Sequence, residues 1–168
     1  SGHGDDVVSL SIPDEPVVIE FSHDGDSNFY VWSLDTGLNT IDLLVNEIGT
    51  YSGTRLMQAA ESEVVKGLEI GADGNWTYEI RRLSLEPNRS CPVVGTGDSV
   101  MLLPRFEAAA GTATITHDGG SNFYIWAWSG TDRDLLVNEI GVYSGTVLVS
   151  EGYSTWEIGA DGMWTIDC

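Results

Sequence analysis

Positive charge is what this chain has least of. Its 168 residues carry 7 basic side chains against 26 acidic ones, a formal net charge of -19, and Lys66 is the single lysine. The deficit is spread along the chain rather than held in an acidic tail. A surface this acidic repels phosphate backbones and anionic lipid headgroups, which removes nucleic acids and anionic membranes from the classes of partner. Long apolar runs are missing as well. None approaches the ~18 residues of a membrane-spanning helix, so no membrane span is expected. Cysteine is confined to Cys91 and Cys168, with none of the close spacing of a metal-binding or redox motif. Helical periodicity is also absent: Gly, Ser, Thr and Asp interrupt every window before an apolar 3.6-residue repeat can establish itself.

The chain does contain a duplication. His23-Asp-Gly-Asp-Ser-Asn-Phe-Tyr30 matches His117-Asp-Gly-Gly-Ser-Asn-Phe-Tyr124 at 7 of 8 positions. The block from Asp42 to Thr54 matches that from Asp134 to Thr146 at 12 of 13, and Glu69 to Thr77 matches Glu157 to Thr165 at 8 of 9. A fainter pair opens each copy, Gly2-His-Gly-Asp5 against Gly95-Thr-Gly-Asp98. Between the blocks the lengths differ, 11 residues against 9 and then 14 against 10, as loops and hairpin ends tolerate.

Strand signals fill both copies, with runs of β-branched and aromatic residues bounded by Gly, Pro and Asp. They predict an all-β fold: two tandem antiparallel β-sandwich modules of about seven short strands each, at residues 1–88 and 89–168. In the first copy the strands fall near 7–12, 17–22, 28–34, 42–48, 54–60, 64–71 and 75–83. Asp24-Gly25, Asp73-Gly74, Asp118-Gly119 and Asp161-Gly162 read as tight turns in which glycine supplies a positive φ. Tyr51-Ser-Gly53 and Tyr143-Ser-Gly145 read as further reversals, and residues 84–97 as the linker. A disulfide joining Cys91 to Cys168 would staple the ends of the second module and indicate an oxidising compartment.

The pattern H-x-G-x-S-N-F, L-L-V-N-x-I-G-x-Y-x-G-T, A-D-G-x-W-T-I (Tyr78 closes the last block in the first copy) resembles a small module of secreted and surface proteins of bacteria and archaea. It is more distantly similar to the pre-peptidase C-terminal type of β-sandwich, an accessory domain of exported enzymes. The resemblance covers both copies and carries no catalytic residues. It implies an extracellular accessory or interaction role.

Three sets of residues invite a chemical reading. His23 with Asp24, and His117 with Asp118, suggest a proton shuttle near Ser27 and Ser121. Consecutive residues on one turn diverge, however, and the preferred reading is a turn whose side chains bond the local backbone. Asp24, Asp26, Asp35 and Asp42, with Asp118, Asp132 and Asp134 in the second copy, offer oxygens to calcium, the one cofactor considered. Against it, Asp26 becomes Gly120 in the second copy. The third set is an aromatic stripe. Tyr30 and Trp32, and Tyr124, Trp126 and Trp128, alternate with Phe29 and Val31, and with Phe123, Ile125 and Ala127. If the Phe series lines the core, the Tyr-Trp series faces outward to stack on sugars or pack on a partner. The alternatives are that the stripe is itself core or is buried between the modules. Asn46 and Asn138 read as buried amides with fixed partners, and Trp76 and Trp164 as core.

The expectation is therefore a non-catalytic, secreted or cell-surface interaction protein acting in adhesion or assembly, with protein partners or glycans. Self-assembly by strand addition through residues 7–12 is one form of this. The second expectation is a carbohydrate-binding module that uses the aromatic stripe. An enzyme built on a carboxylate pair is a third class.

Overall fold

A computed structural model of the chain describes residues 1–57 and 64–168. It divides into two compact units, Ser1–Leu83 and Ser84–Cys168. The first unit contains β1 (Gly2–His3), β2 (Asp6–Ser9), β3 (Val17–His23), β4 (Asn28–Leu34), β5 (Thr40–Ile48), β6 (Tyr51–Met57), β7 (Gly67–Gly71) and β8 (Asn75–Arg82). They form two antiparallel sheets, ordered β1-β8-β3-β6 and β2-β7-β4-β5. The second unit has β9 (Val93–Thr96), β10 (Ser99–Leu102), β11 (Gly111–His117), β12 (Asn122–Ser129), β13 (Asp132–Ile140), β14 (Tyr143–Val149), β15 (Thr155–Gly159) and β16 (Met163–Asp167). Its sheets, β9-β16-β11-β14 and β10-β15-β12-β13, repeat the first unit's order strand for strand.

Period-two alternation places the core. Ile19, Phe21, Phe29, Val31 and Ile70 are at most 1% exposed and pack in the first unit, and Ile115, Phe123, Ile125, Trp156 and Ile158 are wholly buried in the second. Each inner face is thus a ladder of large apolar side chains contributed by alternate residues, the arrangement of two packed sheets. Trp76 and Trp164 join these clusters at 2% exposure each, as the sequence predicts.

Four expectations are corrected. The described strands number eight per unit rather than seven, because the opening segment is two short strands in different sheets, with the chain crossing at Gly4 and Gly97 (φ 71° and 66°). The stretch 84–97 is more than a linker: it supplies Cys91 and β9 to the second unit. Tyr51-Ser-Gly53 and Tyr143-Ser-Gly145 lie inside β6 and β14. The reversals come earlier, at Gly49 and Gly141, whose φ values are 90° and 88°. Asn46 and Asn138 are exposed, not buried, since each pairs across the ladder with Tyr30 or Tyr124 on the outer face. The end of the strand expected at 54–60 lies outside the described residues.

Cys91 and Cys168 form a disulfide with Cα atoms 5.5 Å apart. The antiparallel register of β9 on β16 pairs Val93 with Ile166, and two more residues of the same register bring the cysteines opposite one another. The bridge spans 77 positions, and a loop of that length constrains the unfolded chain by about 4–5 kcal/mol in the chain-entropy model. Reduction, or Cys168→Ser, is expected to lower the thermal midpoint of the second unit and leave that of the first unchanged. Calorimetry with and without reductant checks this.

Candidate functional site

At one end of each sandwich, four turns carry the chain from one sheet to the other. In the first unit they join β1 to β2, β3 to β4, β5 to β6, and β7 to β8. These turns are tied to one another. The Asp24 carboxylate accepts from the backbone N–H of Asn75 (2.7 Å) and from its side-chain amide (2.9 Å). Reciprocally, Asp73 Oδ2 accepts from the backbone N–H groups of Asp26 (3.1 Å) and Ser27 (3.0 Å). Ser27 C=O accepts from Gly49 N–H at 2.8 Å, and Gly74 C=O from Gly4 N–H at 3.0 Å. Asp5 accepts from Ala72 N–H at 3.0 Å, and the Trp76 indole N–H donates to Gly4 C=O at 2.9 Å.

The second unit repeats these ties. Asp118 accepts from Met163 N–H (2.7 Å), and Asp161 accepts from Gly120 and Ser121 N–H (2.9 Å each). Asp98 accepts from Ala160 N–H (2.9 Å), and Trp164 donates to Gly97 C=O (3.0 Å). The Asp-Gly glycines serve close approach here. None of the four has a positive φ. A Cβ on Gly162 would lie 2.6 Å from the Gly119 Cα, so the two turns touch backbone to backbone. This corrects the positive-φ reading of the turns.

His23 and His117 sit beneath the turns, and their side chains are wholly inaccessible to solvent. Each stacks on the phenylalanine of its own repeat, Phe29 at 4.5 Å and Phe123 at 4.3 Å between ring centroids. His23 Nδ1 lies 2.8 Å from Gly49 C=O, and His117 Nδ1 lies 3.0 Å from Gly141 C=O. A carbonyl only accepts, so Nδ1 carries a proton in both rings. Nε2 lies 3.3 Å from Asp73 Oδ1 or Asp161 Oδ1, close but not aligned as a hydrogen bond. A proton on Nε2 would make each contact an ion pair. With both nitrogens directed at protein groups and no ring atom exposed, the imidazoles act as fillers and ties within the turns. The side-chain bonding expected for these turns is present, but it links turns 40 to 51 residues apart in sequence rather than local backbone.

The carboxylates respond to this environment. Burial pushes the Asp161 pKa up, but the N–H groups of Gly120 and Ser121, helped by His117, outweigh it and leave the group below the usual carboxylate range. The side-chain and backbone amides of Asn75 hold Asp24 below that range too.

The expected calcium ligands are not gathered. Among the described residues no group of three or more His, Cys, Asp or Glu is placed to hold a metal ion. Asp24 and Asp118 are spent on backbone amides, Asp26 engages through its own N–H, and Asp35 caps its own turn through Gly37 and Asn39. Asp118 precedes β12, whereas Asp132 and Asp134 pair with Ser129 and Ala127 at that strand's far end.

The aromatic stripe is on the outer face, since Phe29, Val31, Phe123, Ile125 and Ala127 are wholly buried in the core. Its members differ. Trp128 is only 6% exposed. Arg133 lays its guanidinium over Trp126 at 4.3 Å and over Trp128 at 5.4 Å, which closes the two indoles under a cation. Tyr30 and Tyr124 instead lie flat on the sheet. Each pairs in register with a glycine, Gly71 or Gly159, where a Cβ would run into the ring. Beyond Tyr124, Asn122, Asn138, Glu139 and Ile140 line a shallow hollow of about 380 Å³. Sequence reasoning named the tyrosines but missed the hollow. The signal was present in the repeat, since all four lining residues recur as Asn28, Asn46, Glu47 and Ile48.

No protein-family model matches the chain, and the search of curated proteins returns no match.

Two outcomes are expected at the turns. Gly162→Ala forces two backbones apart and should cost about 1–3 kcal/mol, as overpacking does, read by denaturant unfolding. Asp161 and Asp24 have lowered folded pKa values, so their contribution is complete above the unfolded value of about 3.9 and is lost as pH falls through the folded one. Stability should therefore fall below about pH 4, and less steeply in Asp161→Asn, as followed by unfolding midpoints across an acid pH series.

Proposed function

We propose that the chain is a non-catalytic interaction protein that works outside the cytosol, in cell-surface adhesion or assembly. The observation that carries this reading is the fate of the His-Asp pairs. In both units the histidine is buried and the exposed aspartate beside it is bonded to the backbone N–H of a neighbouring turn, while a repeated outer face carries a half-buried tyrosine among exposed amide and aliphatic side chains. Such a face suits contact rather than group transfer. The disulfide is compatible with an extracellular location, and the resemblance to secreted accessory modules points the same way. The acidic surface keeps the protein soluble and away from polyanions.

A second reading is carbohydrate binding. It is favoured by Tyr30 and Tyr124, which lie half-buried on the outer face with each ring laid over a glycine.

Purified cell envelopes of bacteria and archaea test the leading reading. The intact chain should sediment with at least one envelope preparation, and Tyr30→Ala/Tyr124→Ala should remain in the supernatant. Equal sedimentation of both proteins, or of neither, would count against an interaction role for this face.

A further inference from the structure

We propose that each unit carries a saccharide site centred on its tyrosine rather than on its tryptophans, and that the chain is thereby bivalent for an uncharged oligosaccharide. This deepens the carbohydrate reading and rests on it.

The site in the second unit is Tyr124 with the adjoining hollow of Asn122, Asn138, Glu139 and Ile140. Register sets the arrangement. Asn138 stands opposite Tyr124, and Asn122 opposite Ile140, so these four share the outer face at the turn end of β12 and β13. Asn122, Asn138, Glu139 and Ile140 are all exposed, Ile140 at 82%. The first unit has the same residues in the same register, with Tyr30 opposite Asn46 and Asn28 opposite Ile48, and Ile48 is 81% exposed.

Two features of the molecule select this place. The first is what the turns leave unused. Much of the repeated sequence is accounted for by the ties between crossover turns. The hollow residues are not among those ties, and an isoleucine side chain four-fifths exposed gains little from folding. Several other exposed positions have diverged between the units: Glu20 corresponds to Thr114, Asp26 to Gly120 and Asn75 to Met163, although Asp42/Asp134 and Ser52/Ser144 are kept. The second is chemistry. Two amides supply donors and acceptors, and a flat ring with an aliphatic neighbour covers the apolar face of a pyranose. The tryptophan end lacks this opening, because Arg133 occupies the Trp126 face. The first unit has Ile41 at the position of Arg133, so the cation is not part of the shared site.

The charge class follows. A chain of net charge -19, with Glu139 at the hollow of the second unit, repels uronic and sialic acids, whereas a neutral glycan feels no such field. Two sites on one chain also raise avidity for a polymer that can reach both.

Calorimetric titration of the intact chain with β-1,4-glucan, β-1,4-N-acetylglucosamine and α-mannan hexasaccharides, and with hexagalacturonate as the anionic control, tests the proposal. The expected result is binding of a neutral hexasaccharide at two sites per chain and no binding of hexagalacturonate. Asn138→Ala and Ile140→Ser lie on the surface and should leave the thermal midpoint in place, yet each should weaken one of the two sites by about tenfold, through the loss of one hydrogen bond in the first and of apolar contact in the second. Trp126→Ala should leave both sites intact. Loss of binding in Trp126→Ala with none in Asn138→Ala or Ile140→Ser overturns the tyrosine-centred site and leaves a carbohydrate function standing. Preference for hexagalacturonate overturns the charge class. Flat titrations with all four sugars overturn the site and the carbohydrate reading together.

Discussion

The structure depends on a reciprocal bond between turns. In each unit, a carboxylate on the turn leaving the third strand holds the backbone of the turn entering the eighth, and a carboxylate on that second turn holds the backbone of the first. Two sheets packed on apolar side chains alone slide easily, because hydrophobic contact is not directional. Hydrogen bonds from charged acceptors to fixed N–H groups are directional and stronger than neutral ones. Asp24 and Asp73, with Asp118 and Asp161, therefore set how one sheet lies on the other. The histidine beneath extends the tie to a third turn, and the Trp-Gly and Asp-Ala bonds bring in the fourth. Glycine is required where the first two turns meet because any side chain would hold their backbones apart.

This arrangement explains why the sequence repeats where it does. The blocks shared by the two copies are centred on the crossover turns of one end of the sandwich, and the gaps of unequal length fall toward the other end. Most strand positions and the two-sheet class are legible from period two and turn residues, and the Cys91–Cys168 bridge from the place of its cysteines at the two ends of the second module, whereas period two alone does not say which of the Phe and Tyr-Trp series faces inward. The two-residue strand β1 and the crossing at Gly4 are not legible, since two residues show no alternation. The partners of Asp24 and Asp73 are equally hidden, because nothing local reveals that a turn touches another some fifty residues away. Asn46 and Asn138 look buried only because their apolar neighbours belong to the opposite face.

The same reasoning separates groups that look chemical from groups that are available. A histidine beside an aspartate invites a catalytic reading, yet here both members are committed to backbone. The tryptophans look like the binding platform, yet Arg133 covers them in the second unit. What the outer face offers in both copies is plainer: a half-buried tyrosine lying on glycine, two exposed amides and an exposed isoleucine. Rigid turns at that end hold the strand ends that carry these residues, so a contact surface there has little ordering to do on binding.

Amide hydrogen exchange at the turns reads out the interlock residue by residue. Gly120, Ser121 and Met163, and Asp26, Ser27 and Asn75, lie at exposed positions where unbonded amides exchange freely. The interlocked turns predict protection at all six comparable to that of the central strands of the same unit. Exchange at the rate of an open surface loop would contradict it.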